Sequence, residues 1–184
     1  MIHQLDENGT MAVVLPHGVL FRAAAEGHIR KHLIKDKNYL DAVIGLPANI
    51  FYGTPIQTCI LVFKKNRKHK DNLLFIDASQ MFGKTTNQSY LRESDIQDIL
   101  NAYDKREFKK QLSYVANIDE IEQENEFNLS IPRYVDMFEP EEEVSISEVS
   151  RKVKDLDFAI QNIDVDIKSF CNELNIPTIV GDRG

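Results

Sequence analysis

The chain has 184 residues, 42% of them hydrophobic, a net charge of −7 and two cysteines. That length is enough for one domain with a genuine core and an appendage. The widely separated Cys59 and Cys171 read as reduced thiols of a cytoplasmic protein rather than as a disulfide framework, and no apolar run approaches the roughly 18 residues of a membrane span, so no membrane partner is expected.

The charge is unevenly divided. Residues 1–90 hold 11 Lys/Arg against 7 Asp/Glu, whereas residues 91–184 hold 11 against 22. A basic front half suits phosphates, and an acidic rear half suits protein.

Thr10 to Leu15 is a short apolar run closed by Pro16, which predicts a strand buried on both faces, as in parallel sheets. Residues 23–35 carry Ala25, Ile29 and Leu33 at fourfold spacing among charged residues, the pattern of an amphipathic helix. Tyr39 to Ile44 then gives a second strand, and strand, helix, strand predicts a right-handed crossover. His17 follows the first strand at the carboxyl edge, where open α/β folds collect ligands, although a lone loop histidine is commonly only solvated or structural.

The turn-rich segment 45–56 carries the adjacent aromatics Phe51 and Tyr52 and feeds a strand, Gln57 to Lys64. An aromatic held rigidly there can stack on a planar ligand, such as a nucleobase drawn out of a duplex, or it can plug a core. Gly53 and Pro55 would fix the loop, while Thr54 and Thr58 would hydrogen-bond either a phosphate or base or the loop itself. The run Lys64-Lys65-Asn66-Arg67-Lys68-His69-Lys70 places five cations in seven residues. Lys64, Lys65, Arg67 and Lys68 are candidate contacts to DNA phosphates, with a solvated hairpin tip the equal alternative. The histidines show no metal-ligand spacing, so no metal is expected.

Leu73 to Asp77 reads as another strand and residues 80–90 as a polar, mobile loop. Ile96, Ile99, Leu100 and Tyr103 lie on one face of a helix of about three turns. Asn117 with Glu120 has the form of a capping box. Farther on, Val149, Val153, Leu156, Ile160, Ile163, Ile167, Phe170 and Leu174 follow the spacing 4-3-4-3-4-3-4, a heptad seam on one long helix. Ser145 with Glu148 marks its start, and Asn175 before Pro177 marks its stop. So narrow a stripe predicts a partner helix, although folding back on its own domain is the alternative.

Four segments occur in order: Asn8 to Arg22 (NGTMAVVLPHGVLFR), the 45–63 run (GLPANIFYGTPIQTCILVF), Leu74 to Ser79 (LFIDAS) and Asn128 to Val135 (NLSIPRYV). Together they resemble the C-terminal half of the modification subunit of type I restriction-modification systems, an N6-adenine DNA methyltransferase, over residues 8–175. The resemblance implies an α/β fold: the C-terminal half of a Rossmann-like, S-adenosylmethionine-dependent methyltransferase sheet, mixed because its last strand runs antiparallel between its neighbours, plus the long C-terminal heptad helix.

It implies further that Phe51, or alternatively Tyr52, stacks on the flipped adenine, and that the partners are DNA and the specificity and restriction subunits. Docking on the specificity subunit would use the heptad helix, which also offers self-association. Family members carry a glycine-rich loop for S-adenosylmethionine and an Asn/Asp-Pro-Pro-aromatic tetrapeptide. Here no two of the six prolines are adjacent and the glycines never fall as Gly-x-Gly-x-x-Gly. By the resemblance Met1 stands just downstream of that tetrapeptide, so the chain is expected to hold no catalytic or cofactor-binding residue and to be inactive alone. The expected organisation is a catalytic half-domain at 1–138, a linker and docking helix at 139–176, and a disordered tail at 177–184. The alternative is a non-enzymatic assembly module acting through its coiled-coil helix.

Overall fold

Runs rich in Val, Ile, Leu and Phe build a five-stranded mixed sheet in the computed structural model, which describes residues 1–136 and 146–177. The chain divides into two compact units, Met1–Phe138 and Glu139–Gly184. In the first, strand β1 (Thr10–Pro16) leads through helix α1 (Gly18–Phe21) and helix α2 (Ala25–Lys31), which widens into a π turn at His32–Asp36, to β2 (Leu40–Gly45). After β3 (Thr58–Lys64) and β4 (Asn72–Asp77) come a two-strand ribbon of β5 (Gly83–Lys84) and β6 (Ser89–Tyr90), helix α3 (Glu93–Lys105) and β7 (Ser113–Asn117).

The strand order is β1-β3-β2-β4-β7. β1, β2 and β4 run one way; β3, between β1 and β2, is antiparallel to both, and β7 is antiparallel to β4 at the far edge. Alternation along each strand sends one set of side chains to each face. Val43, Leu61, Phe63, Leu73 and Phe75 share the first face with Leu20, Ile34, Ile121 and Leu129. Ala42, Ile44, Val62, Leu74 and Ile76 share the second with Ile99 and Leu112. β2, central and covered on both sides, is buried at every position.

β1 departs from the sequence-based expectation. Met11, Val13 and Leu15 pack inward, but Thr10, Ala12, Val14 and Pro16 are exposed, because no described element covers the second face there. The helix after it departs too: Ala25 and Ile29 face solvent, and the chain turns inward only at the π turn, where Leu33 is half-buried against the core and Ile34 is buried. In α3, Ile99 is buried and Tyr103 packs against the second-face core, while Ile96 and Leu100 stay exposed. Its start is held by Arg92, whose backbone N–H and guanidinium donate to the Asp95 carboxylate at 2.8 and 2.9 Å. Asn117 does not cap a helix; it ends β7 opposite Asn72, and the turn at Glu120–Glu124 begins without a side-chain cap.

The Ile-Pro-Arg-Tyr segment acquires a physical role. Leu129, Ile131, Tyr134 and Val135 are buried on the first face, where the Tyr134 ring stacks on Phe75 with centroids 3.8 Å apart. Leu129 N donates to Leu20 O at 2.9 Å, Arg30 Nε to Phe127 O at 2.9 Å, and Tyr134 Oη to Asn128 O at 2.8 Å. Each large apolar side chain so buried contributes about 1.5–3 kcal/mol. The segment is therefore a cover for the sheet.

In the second unit α4 (Ile146–Glu173) is a single helix of 28 residues. It stops where Asn175 turns left-handed at φ 52° and Ile176 N donates to Cys171 O at 3.0 Å. Val149, Val153, Leu156, Ile160, Ile163, Phe170 and Leu174 are exposed, and Ile167 is half-buried. The expected linker at 139–145, the Ser145 cap with the Glu148 side chain, and the expected tail beyond Pro177 lie outside the described residues. Both cysteines are free thiols; burial pushes that of Cys59 up to about 11. Among the described residues no helix is long and apolar enough to cross a membrane.

Candidate functional site at the carboxyl edge of the sheet

Because β1, β2 and β4 run in parallel, their ends gather His17, Gly45 and Asp77 at one edge, and β3 begins there with Thr58. The loop from 46 to 57 closes over this edge. Its base is fixed: Leu46 N donates to Thr58 O at 2.9 Å and His17 N to Gln57 O at 3.3 Å. Asn49, left-handed at φ 58°, accepts Ser89 N at 3.0 Å, and Gln88 Nε2 donates to Ile50 O at 2.8 Å. The segment expected to be a mobile loop thus clamps the loop before it.

The tip is a tight turn in which Thr54 N donates to Phe51 O at 3.3 Å and the Thr54 hydroxyl accepts Ile56 N at 3.4 Å. Gly53 has φ +76°, where a side chain would strain the backbone. This geometry turns the aromatics outward: Phe51 is 44% exposed and Tyr52 92%. They do not plug the core.

Beneath the loop lie polar groups that sheet interiors usually avoid. Thr58 and Asp77 are buried; the Asp77 carboxylate accepts Ser79 N at 2.8 Å. Thr58 Oγ1 and His17 Nε2 find no hydrogen-bond partner among the described residues. Burial lowers the affinity of the His17 imidazole for a proton, against the opposing pull of the Thr58 backbone and Asp77, so the ring is neutral at pH 7. Gly45 is closely packed here, since a Cβ would meet Ile131 Cδ1 at 2.7 Å and that side-chain end would have to shift.

The basic run sits elsewhere. β3 starts at the aromatic edge and ends at Lys64, so Lys64 to Lys68 lie about 20 Å away, at the opposite end of the sheet. Thr58 and these cations therefore do not form one surface. Lys64 Nζ stands 3.5 Å from Asp41 Oδ2 and 5.1 Å from the Tyr103 ring centre, and Lys65 pairs with Glu7 at 3.3 Å.

Arg67, expected to reach for DNA, is turned inward and 2% exposed. Its guanidinium donates to Asp41, to Asn38 Oδ1 and to the carbonyls of His69 and Asn72, so four of its five N–H groups are engaged inside the protein and the buried side chain is not presented to a phosphate. Lys68 alone of the four is exposed and without an ion pair among the described residues. Asp41 is the residue that sequence reasoning missed. A carboxylate inside an apolar strand is the readable sign of a buried polar network.

Comparison with known proteins places these features in a family. Residues 1–143 match the N-6 DNA Methylase family. The chain is 35% identical over 182 residues to the type I restriction enzyme MpnII methylase subunit of Mycoplasma pneumoniae, covering 95% of this chain and 33% of that relative. To the MjaVIII methylase subunit of Methanocaldococcus jannaschii it is 32% identical, covering 89% and 29%. The chain thus spans about a third of the length of these relatives. The crystal structure of a type I restriction-modification methyltransferase subunit from Streptococcus thermophilus superposes with a TM-score of 0.70 at 49% identity, covering 73% of this chain and 28% of that one. A mixed sheet with β3 inserted antiparallel between β1 and β2, and a family match over most of its length, identify the chain as a member of the N-6 DNA methylase family.

Proposed function

We propose that this chain is part of the N6-adenine DNA-methylating subunit of a type I restriction-modification system, and that its role is to hold the extruded target base. The observation that carries this reading is the anchored loop at the carboxyl edge, which presents Phe51 and Tyr52 to solvent on a rigid base. Stacking one base on an aromatic is worth about 1–3 kcal/mol, enough to bias a base toward the flipped position and too little to drive methyl transfer. The orphaned Thr58 Oγ1 and His17 Nε2 lie at the same edge, where a substrate polar group would satisfy them.

In this family S-adenosylmethionine supplies the methyl group. The residues present do not build its pocket. The strand ends of this edge lead into Pro16-His17-Gly18, Gly45-Leu46 and Asp77-Ala78, and none forms the glycine-rich turn that cradles a nucleotide. No step of the transfer is assigned to these residues, and the purified chain is expected to transfer no methyl group. The cofactor loop and the Asn/Asp-Pro-Pro-aromatic element belong, in this reading, to other parts of the enzyme.

The exposed seam of α4 supports docking on the helices of a specificity subunit, with the restriction subunit and DNA completing a cytoplasmic assembly. The same seam supports the second reading, a non-enzymatic assembly module that associates with itself or with partners. In a complete enzyme, Phe51→Ala is expected to weaken methylation of duplex DNA more than that of DNA whose target adenine is mispaired and flips readily. Equal losses on the two substrates would contradict the clamp. Running Tyr52→Ala in parallel decides which ring stacks.

A further inference from the structure

At the opposite end of the sheet from the aromatic loop, a cleft of about 360 Å³ opens between the start of β2, the end of β3 and the end of α3. Lys64, Lys68, His69, Tyr103 and Arg106 line it, with Asp41 at its floor. Arg67 lies in contact with the floor, donating from Nε to Asp41 Oδ1 at 3.4 Å. Arg106 Nη1 approaches the same oxygen at 3.4 Å, Lys64 Nζ the other at 3.5 Å, and the Tyr103 hydroxyl donates to it at 2.6 Å.

Three cations of the lining, Lys64, Lys68 and Arg106, thus meet two carboxylates, Asp41 and the exposed Asp104 of the rim, while the buried Arg67 is paired inside the protein and also feels Asp71. The Arg106 side chain is only 9% exposed, is held on a left-handed backbone at φ 50°, and its Nε–H has no acceptor among the described residues. A buried donor without an acceptor is costly, and the lining carries one more cation than it has carboxylates. A compact anion with several acceptor oxygens would offset that excess charge and lie against Lys64, Lys68 and the Arg106 guanidinium.

We propose that this cleft is a phosphate-binding site, held by Lys64, Lys68 and Arg106 and independent of the methylation reading. Phosphate matches it in charge and in acceptor number. The group would come either from free phosphate or from a phosphodiester of a nucleic acid backbone. Binding at this pole leaves the aromatic edge about 20 Å away free to act separately.

The test uses the 184-residue chain and inorganic phosphate, followed by phosphorus NMR at constant ionic strength with chloride as the balance. Saturable binding is expected, weakened at least tenfold in Lys68→Gln, whose exposed side chain carries no structural contact, and in Arg106→Gln, and unchanged in Lys110→Gln. A short DNA duplex added in competition separates the sources: displacement identifies a backbone phosphodiester, and retention identifies free phosphate. Line-broadening that does not saturate, or that is equal in Lys68→Gln and the parent chain, overturns the proposal.

Discussion

Single residues carry the sharpest consequences of this structure. Arg67 is a buried charge whose partners are all internal, so its loss leaves Asp41 facing fewer cations and strips hydrogen bonds from two carbonyls. Arg67→Met is expected to lower unfolding stability by about 3–5 kcal/mol in urea titration, far more than an exposed lysine would. Removing Lys68 should cost almost nothing. His17 gives a pH signature. Its folded proton affinity is depressed by burial, so the stability it permits is full above its ordinary value of 6.5 and declines as pH falls below that value. His17→Asn should flatten stability between pH 7 and 5.5, as read by thermal denaturation.

Asp41 acts in a lower window. Burial alone would raise its carboxyl, but the Tyr103 hydroxyl and the charges of Arg106, Lys64 and Arg67 outweigh that and hold it below the usual range. Its contribution is therefore present above about pH 4 and lost only in stronger acid.

At the scale of elements, what was legible in the sequence was what depends on neighbours along the chain. The strands, the turn-rich loop after β2 and the stop of α4 at Asn175 follow from runs of apolar residues, turn formers and spacing, whereas the outward turn of Phe51 and Tyr52 does not. What was not legible depends on pairing between distant segments. Lys64 to Lys70 has the composition of a solvated tip, yet Arg67 is drawn inside by Asp41, Asn38 and Asn72, which only the strand register brings together. Likewise Thr10 to Leu15 reads as a fully buried strand, because composition does not say whether a second layer exists to cover it.

The seam of α4 is testable at this scale. Apolar exposure is not confined to the heptad stripe, since Phe158 and Val165, seven residues apart on another face, are 66% and 64% exposed. If the seam is the docking surface, Leu156→Asp with Ile163→Asp should abolish association with a specificity subunit. Phe158→Asp should weaken it at most slightly, as measured by sedimentation.

At the scale of the whole molecule, the sheet is strong in the middle and open at one side. β2 is buried through its length and β4 from Leu73 to Asp77, while β1 exposes Ala12 and Val14 and has no strand on its outer edge among the described residues. Such an edge invites further strand pairing. Val14→Lys is expected to raise the soluble, unassociated fraction of the purified chain without lowering its melting temperature, because that side chain already faces solvent.

The two ends of the sheet differ: exposed aromatics with the orphaned His17 Nε2 and Thr58 Oγ1 at the carboxyl edge, and a cleft lined by Lys64, Lys68 and Arg106 at the other. The central claim, that the aromatic loop holds the target base, is tested most directly by photo-crosslinking. A duplex carrying 5-iodouracil at the target position would be irradiated in complex with a complete enzyme containing this chain. The account predicts an adduct on Phe51 or Tyr52, within the tryptic peptide 38–64. Adducts on other peptides with this one unmodified would contradict it.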